Sequence, residues 1–276
     1  MIHVCLPVCP AEAEGALSEL VAYQLDVDKH ASYADRVKAA DEAWTSRRGN
    51  KPIRIVREML LAMCSGLGRC MYCEDSHAHD VEHVKPKSLY PDLVFAWANF
   101  LYACSDCNGP KGAKFKVHLR DGRIFDVGRK RKTVPTLQLG PDDPLVLGEP
   151  LLLDPRCEDP LDFLRLDLDM GVFEEIPSAG LALERARFTI ELLGLNEREH
   201  LVVARQDTFQ TAESVLVDYV RLKREGAEPT AIAAKRHAIV RQPHHTVWEE
   251  MKRQRHAPRR AKLRGLFEEA PEALHW

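Results

Sequence analysis

The sequence predicts an α+β protein: a mainly helical chain that carries a compact zinc-stapled module and, further on, a small β-hairpin. Three observations predict it. Apolar residues recur at helical spacing before residue 66 and after residue 183. Two Cys-x-x-Cys pairs, Cys70/Cys73 and Cys104/Cys107, bracket a stretch rich in His, Gly and Pro. Leu164, Leu166 and Leu168 alternate with Arg165, Asp167 and Asp169, which is strand period. The expected division is a helical segment over 1–66, the stapled core over 67–132, a connector with the hairpin over 133–182, and a helical region over 183–276.

Residues 11–65 read as helical. One helix opens at Ser32 to Asp35, carries Val37, Ala40 and Trp44 on one stripe, and stops at Arg48-Gly49-Asn50. The next follows Pro52, with Ile53, Val56, Leu60 and Met63 on one stripe, and ends near Ser65-Gly66. Residues 68–91 then read as a loop-dominated metal module. A short helix is expected near the second cysteine pair, within 97–112, and a short strand over 122–127. The Pro- and Asp-rich stretch 133–160 reads as an extended connector. Met170-Gly171 turns the strand at 164–168 into a second one at 172–176. Asn196 with Glu199 suggests a capping box for a long helix to about Arg224, ended at Gly226.

With 276 residues, 45% of them apolar and 29% charged, the chain can bury a sizeable core and has the composition of a globular protein. No apolar run is long enough to span a membrane, and residues 1–15 lack the pattern of a secretory leader, so a cytoplasmic protein without a membrane partner is expected. In that compartment disulfides are disfavoured and paired cysteines read as metal or redox sites. The net charge is −3, yet Lys111, Lys114, Lys116, Arg120, Arg123, Arg129, Lys130, Arg131 and Lys132 are opposed locally only by Asp121 and Asp126. Lys252, Arg253, Arg255, Arg259, Arg260, Lys262 and Arg264 form a second run. Such patches either attract a phosphate backbone or are solvated faces.

Two Cys-x-x-Cys pairs can place four thiolates around one tetrahedral zinc ion, whose binding supplies folding energy to a loop-rich module. Cys5, Cys9, Cys64 and Cys157 read as small buried apolar residues or spectator thiols. Between the pairs lies Glu82-His83-Val84-Lys85-Pro86-Lys87, then Asn99. Asn108, Lys111 and Lys114 follow the last cysteine. A carboxylate, an imidazole and two carboxamides thus interleave the staple.

Cys-x-x-Cys, Glu-His-x-x-Pro, Asn and Cys-x-x-Cys-Asn-x-x-Lys-Gly together resemble the four-cysteine zinc branch of the HNH endonucleases. The resemblance implies a ββα-metal core in which a β-hairpin and a helix clamp one divalent cation, Mg²⁺ or Mn²⁺, while structural zinc on Cys70, Cys73, Cys104 and Cys107 holds hairpin to helix. Carried over by motif, His83 is the base that deprotonates water. Glu82 and Asn108 bind the catalytic cation, and Asn99 fixes the loop backbone and so the orientation of His83. The commonest pattern has Asp-His where this chain has Glu82-His83, and many members end in His where it has Asn108. Both residues here can ligate a hard cation through oxygen. Segments such as Trp97 to Leu101, Lys111 to Phe115, Glu149 to Pro155 and Thr189 to Asn196 are similar to the narrower subgroup of Septu-type and retron-associated anti-phage systems. That subgroup implies a bacterial defence effector working with an ABC-type ATPase partner.

These residue types suit phosphodiester hydrolysis: a cation offsets charge on the phosphoryl and leaving oxygens, and a neutral imidazole activates water. Lys85, Lys87, Lys111 and Lys114 are expected on phosphates, positioning the strand without reading its sequence. The resemblance implies nucleic acid as substrate, DNA by analogy, with RNA as the alternative. His77 and His79 either help hold metal or orient the hairpin, or are incidental loop residues; His244-His245 has the weaker pattern of the two pairs. Two other classes fit the same residues: a non-catalytic zinc module that binds nucleic acid, and an adaptor whose C-terminal helices dock a partner. A redox role for the cysteine pairs lacks a thioredoxin-like setting.

Overall fold

The computed structural model describes residues 1–4, 11–127 and 148–276. The N-terminal part is three helices, α1 (Ala11–Asp28), α2 (Tyr33–Arg47) and α3 (Lys51–Met63). The Ser32 hydroxyl accepts from the Asp35 amide at 3.1 Å and so caps α2. On α3 the whole expected stripe, Ile53, Val56, Leu60 and Met63, is buried.

The middle of the chain holds strand β1 (Asp80–His83), strand β2 (Phe100–Ala103) and helix α4 (Ser105–Lys111). β1 and β2 are antiparallel, with Glu82 opposite Leu101 and His83 opposite Phe100. The loop between them carries two 3-10 turns, Pro91–Leu93 and Trp97–Asn99. A three-stranded sheet in the order β4-β3-β5 follows, built from β3 (Lys116–His118), β4 (Ile124–Asp126) and β5 (Glu149–Pro150). The expected strand over 122–127 is β4; its partner β3 was not anticipated. Of the connector read over 133–160, residues 133–147 lie outside the described residues, as do Cys5 and Cys9. The remainder is not a loose tether, because Leu151, Leu152 and Leu153 are buried.

β6 (Leu164–Leu166) and β7 (Phe173–Glu175) form the hairpin read from the alternating leucines. The C-terminal region is helical: α5 (Gly180–Leu192), α6 (Glu199–Arg224), α7 (Pro229–Val240), α8 (His245–Gln254) and α9 (Ala261–Glu269). The capping box expected at the start of α6 does not form. Asn196 instead uses both side-chain atoms on the backbone of Phe173, at 2.8 Å each, tying β7 to the helix entry. The result is a mixed protein of helices and small sheets, and among the described residues no helix is long and apolar enough to cross a membrane.

One long-range tie joins Met1 and the start of α8 to the middle of the chain. Glu74 is buried and in the left-handed region (φ +61°). It accepts from the Met1 amino group at 2.9 Å and from the Thr246 amide and hydroxyl at the start of α8. Its own carbonyl accepts from the His244 amide at 3.1 Å.

Candidate metal centre and active-site cleft

The four cysteines come together because each pair sits in a turn that the backbone closes. The Glu74 amide donates to the Cys70 carbonyl at 2.9 Å, and the Asn108 amide donates to the Cys104 carbonyl at 2.9 Å. The Met71 amide donates to the Tyr102 carbonyl at 3.0 Å, which fastens the first turn to β2 and hence to the second. The Sγ atoms of Cys70, Cys73, Cys104 and Cys107 are buried and lie within 4.8 Å of one another. Cys73 and Cys104 are 3.8 Å apart. Four Zn–S bonds of about 2.3 Å give a tetrahedron with edges of about 3.8 Å, so the thiols are positioned to bind a metal and their spacing fits structural zinc. Four thiolates around Zn²⁺ leave excess negative charge. Arg198 meets it from the C-terminal region, donating from Nη2 to Cys107 Sγ at 3.3 Å. His77 and His79 are exposed, and neither belongs to this group.

β1 distributes its side chains by the two-residue period of a strand. Asp80 and Glu82 reach α4: Asp80 Oδ2 accepts from Asn108 Nδ2 at 3.2 Å, and Glu82 pairs with Lys111. His83 packs edge-on to Trp44 of α2 (4.6 Å between ring centroids) and to Phe100 (5.3 Å). Its Nε2 lies 2.9 Å from the Val94 carbonyl oxygen. A carbonyl can only accept, so Nε2 carries the proton and Nδ1 is the basic atom of the neutral ring. Burial pushes the His83 pKa down to about 4, against the opposing pull of the Val94 carbonyl. The ring is therefore neutral at pH 7.

Asn99 sets where Val94 stands. Its Nδ2 donates to the carbonyls of Lys85 (2.9 Å) and Leu93 (3.1 Å), and its Oδ1 accepts from the Lys85 amide (2.8 Å). One carboxamide thus pins both limbs of the β1–β2 loop. Arg156 holds the same loop from outside, donating to the carbonyls of Trp97 (2.5 Å) and Phe100 (2.6 Å).

Glu82, His83 and Asn108 line one cleft of about 300 Å³, together with Trp44, Lys87 and Gly112. The four lysines expected on phosphates have different fates. Lys111 is fully buried; its ammonium donates to the His83 carbonyl at 2.8 Å and faces Glu82, so it is a prop of the cleft rather than a phosphate contact. Burial raises the Glu82 pKa, with Lys111 opposing the rise. Lys87 is on the cleft wall and pairs with Asp41 of α2. Lys85 is half-buried, its ammonium 5.6 Å from the Tyr90 ring centre. Lys114 is exposed and lines a second cleft of about 240 Å³ with Lys116, Phe188 and Glu191.

Of the first basic run, Arg123 pairs with Asp121 at 2.7 Å, and Arg129 to Lys132 lie outside the described residues. The second run is largely spent within the protein. Lys252, Arg253, Arg259, Arg260 and Lys262 pair with Glu249, Glu250, Asp167, Asp169 and Glu213. His244 is buried beside Asp75 (3.3 Å), away from the cleft residues. Sequence reasoning missed two residues of the site. Asp80 was legible two positions before Glu82, on the same strand face. Trp44 was legible only as one member of a helical stripe.

One stretch of the chain resembles a Septu protein. Over 49 residues it is 47% identical to the Septu protein PtuB of Bacillus thuringiensis, a match spanning 16% of this chain and 19% of that protein. No family model matches the chain. No solved structure matches it.

Proposed function

We propose that the protein is a metal-dependent endonuclease of the HNH type, hydrolysing phosphodiester bonds of nucleic acid, DNA by analogy with that family. The observation that carries the reading is the state of His83: Nε2 bonded to the Val94 carbonyl, Nδ1 the basic atom, in a cleft shared with the oxygen-bearing Glu82 and Asn108. When bound by Glu82 and Asn108, Mg²⁺ or Mn²⁺ supplies charge for the phosphoryl and leaving oxygens. The remaining work falls to the chain. His83 takes a proton from the attacking water at Nδ1, and the Val94 carbonyl holds the tautomer that can do so. Trp44 and Phe100 keep the ring in place, and Lys87 borders the path a phosphate would take.

The local likeness to a Septu protein supports a role in anti-phage defence, and the resemblance to the Septu-type subgroup implies an ABC-type ATPase as partner. The four-thiol group, positioned to bind a metal, supports the zinc part of the resemblance, because two of its cysteines sit at the start of α4, which carries Asn108.

The test is plasmid nicking with added Mg²⁺ or Mn²⁺, beside single-stranded DNA and tRNA as competing substrates. His83→Ala is expected to lower cleavage by about 10²–10⁴-fold while zinc content stays unchanged. Wild-type rates in that variant remove His83 from the mechanism. Retention of DNA in a gel shift with no nicking by the wild-type protein marks a binding module instead.

A further inference from the structure

An asparagine is a two-faced metal ligand. Its carboxamide presents an oxygen that accepts a cation's charge and an NH₂ that repels it, and a half-turn of the side chain exchanges them. Asn108 lines the cleft on α4, and its Nδ2 is held at 3.2 Å by Oδ2 of Asp80 on β1. A carboxylate at neutral pH only accepts, so it selects the amide nitrogen and leaves Oδ1 as the atom available to the cleft. Asp80 is not itself among the residues lining that cleft. Its side chain is 42% exposed, with His79 Nε2 at 3.8 Å from the same oxygen, so water can solvate its charge.

From this geometry we infer that Asp80 is a positioning residue: it fixes the amide of Asn108 so that the carboxamide oxygen faces the divalent cation. The inference rests on the nuclease reading, and it divides labour along one strand face. Glu82, neutralised from α4 by Lys111, is the ligand on β1, and Asp80, two residues earlier, sets the ligand on α4. Outer partners that orient a metal's ligands weigh heavily on its affinity: losing one typically costs about 10–100-fold.

Mn²⁺ binding to the full-length, zinc-loaded protein, followed by electron paramagnetic resonance, tests this without relying on turnover. Asp80→Asn is expected to weaken Mn²⁺ binding about 10–100-fold with unchanged zinc content and melting temperature. Adding Asn108→Asp to that variant is expected to restore binding, because both terminal atoms of residue 108 are then oxygens and their order no longer matters. A charge acting only through space is screened by salt over about 3 Å at 1 M, so the ratio of wild type to Asp80→Asn is expected to persist there. Equal Mn²⁺ affinity in Asp80→Asn and wild type, a ratio that vanishes in high salt, or no restoration in the double variant overturns the assignment. Wild-type protein that binds Mn²⁺ but cuts no nucleic acid sinks the nuclease reading and leaves the role of Asp80 to be judged by binding alone. Wild-type protein that binds no Mn²⁺ overturns both.

Discussion

Lys111 shares its ammonium between the carbonyl of His83 and the carboxylate of Glu82, with no exposed surface of its own. Charges so deep are tolerable only in each other's company. Removing one leaves the other unpaired, at a cost of about 3–5 kcal/mol, whereas replacing both by apolar residues is often neutral. Lys111→Met is therefore expected to lower unfolding free energy by about 3–5 kcal/mol in urea, and Glu82→Leu with Lys111→Met to recover most of the loss. A lysine in a basic stretch invites a phosphate-binding reading, and residue type alone favours it. Position tells more: Lys111 lies four residues after the buried Cys107, one helical turn along the same inward face of α4. That Glu82, His83 and Asn108 share one cleft and that Asn99 pins its loop was legible through the family motif they match. The Val94 carbonyl that fixes the tautomer was not, since any residue supplies a carbonyl.

At the level of elements, the helices and the leucine hairpin could be read from periodicity, because several turns or a clean alternation accumulate signal. β3 and β4 have three residues each, too few for a period of two to stand out. β2 reads as continuously apolar, Phe100-Leu101-Tyr102-Ala103, and all four residues are buried, so alternation had nothing to report. The failed capping box has a non-local cause: the Asn196 side chain satisfies the backbone of Phe173 on β7, an equally good set of partners that lies far off in sequence. The turn between β6 and β7 is where one residue sets an element. Gly171 has φ +68°, and a Cβ there would stand 2.3 Å from the Val202 carbonyl oxygen on α6. Gly171→Ala is expected to cost at least about 1–2 kcal/mol, the penalty of the left-handed region, before the clash is counted. Thermal unfolding of that variant at a wild-type temperature would show that the turn can shift to admit a methyl group.

Across the whole molecule, both flanking helical regions close on the cysteine module. Trp44 from α2 walls His83, and Arg198 from the entry to α6 reaches Cys107 Sγ of the four-thiol group. Neither contact was legible, because nothing local ties residue 44 to residue 83 or residue 198 to residue 107. Arg198→Met is expected to weaken zinc retention by about 10–100-fold in a chelator competition, with secondary structure intact. Unchanged zinc release would reduce Arg198 to a surface contact of the metal centre.

Glu74 gives the molecule an order of assembly. During synthesis the two cysteine turns can close over metal once residue 107 has emerged, but the partner at Thr246 does not yet exist. At ribosomal rates of about 5–20 residues per second that leaves roughly 7–28 s in which the carboxylate lacks its Thr246 partner. The four thiols can thus gather before α8 is there to dock, which leaves the C-terminal helices free to close as a clasp on a module already set.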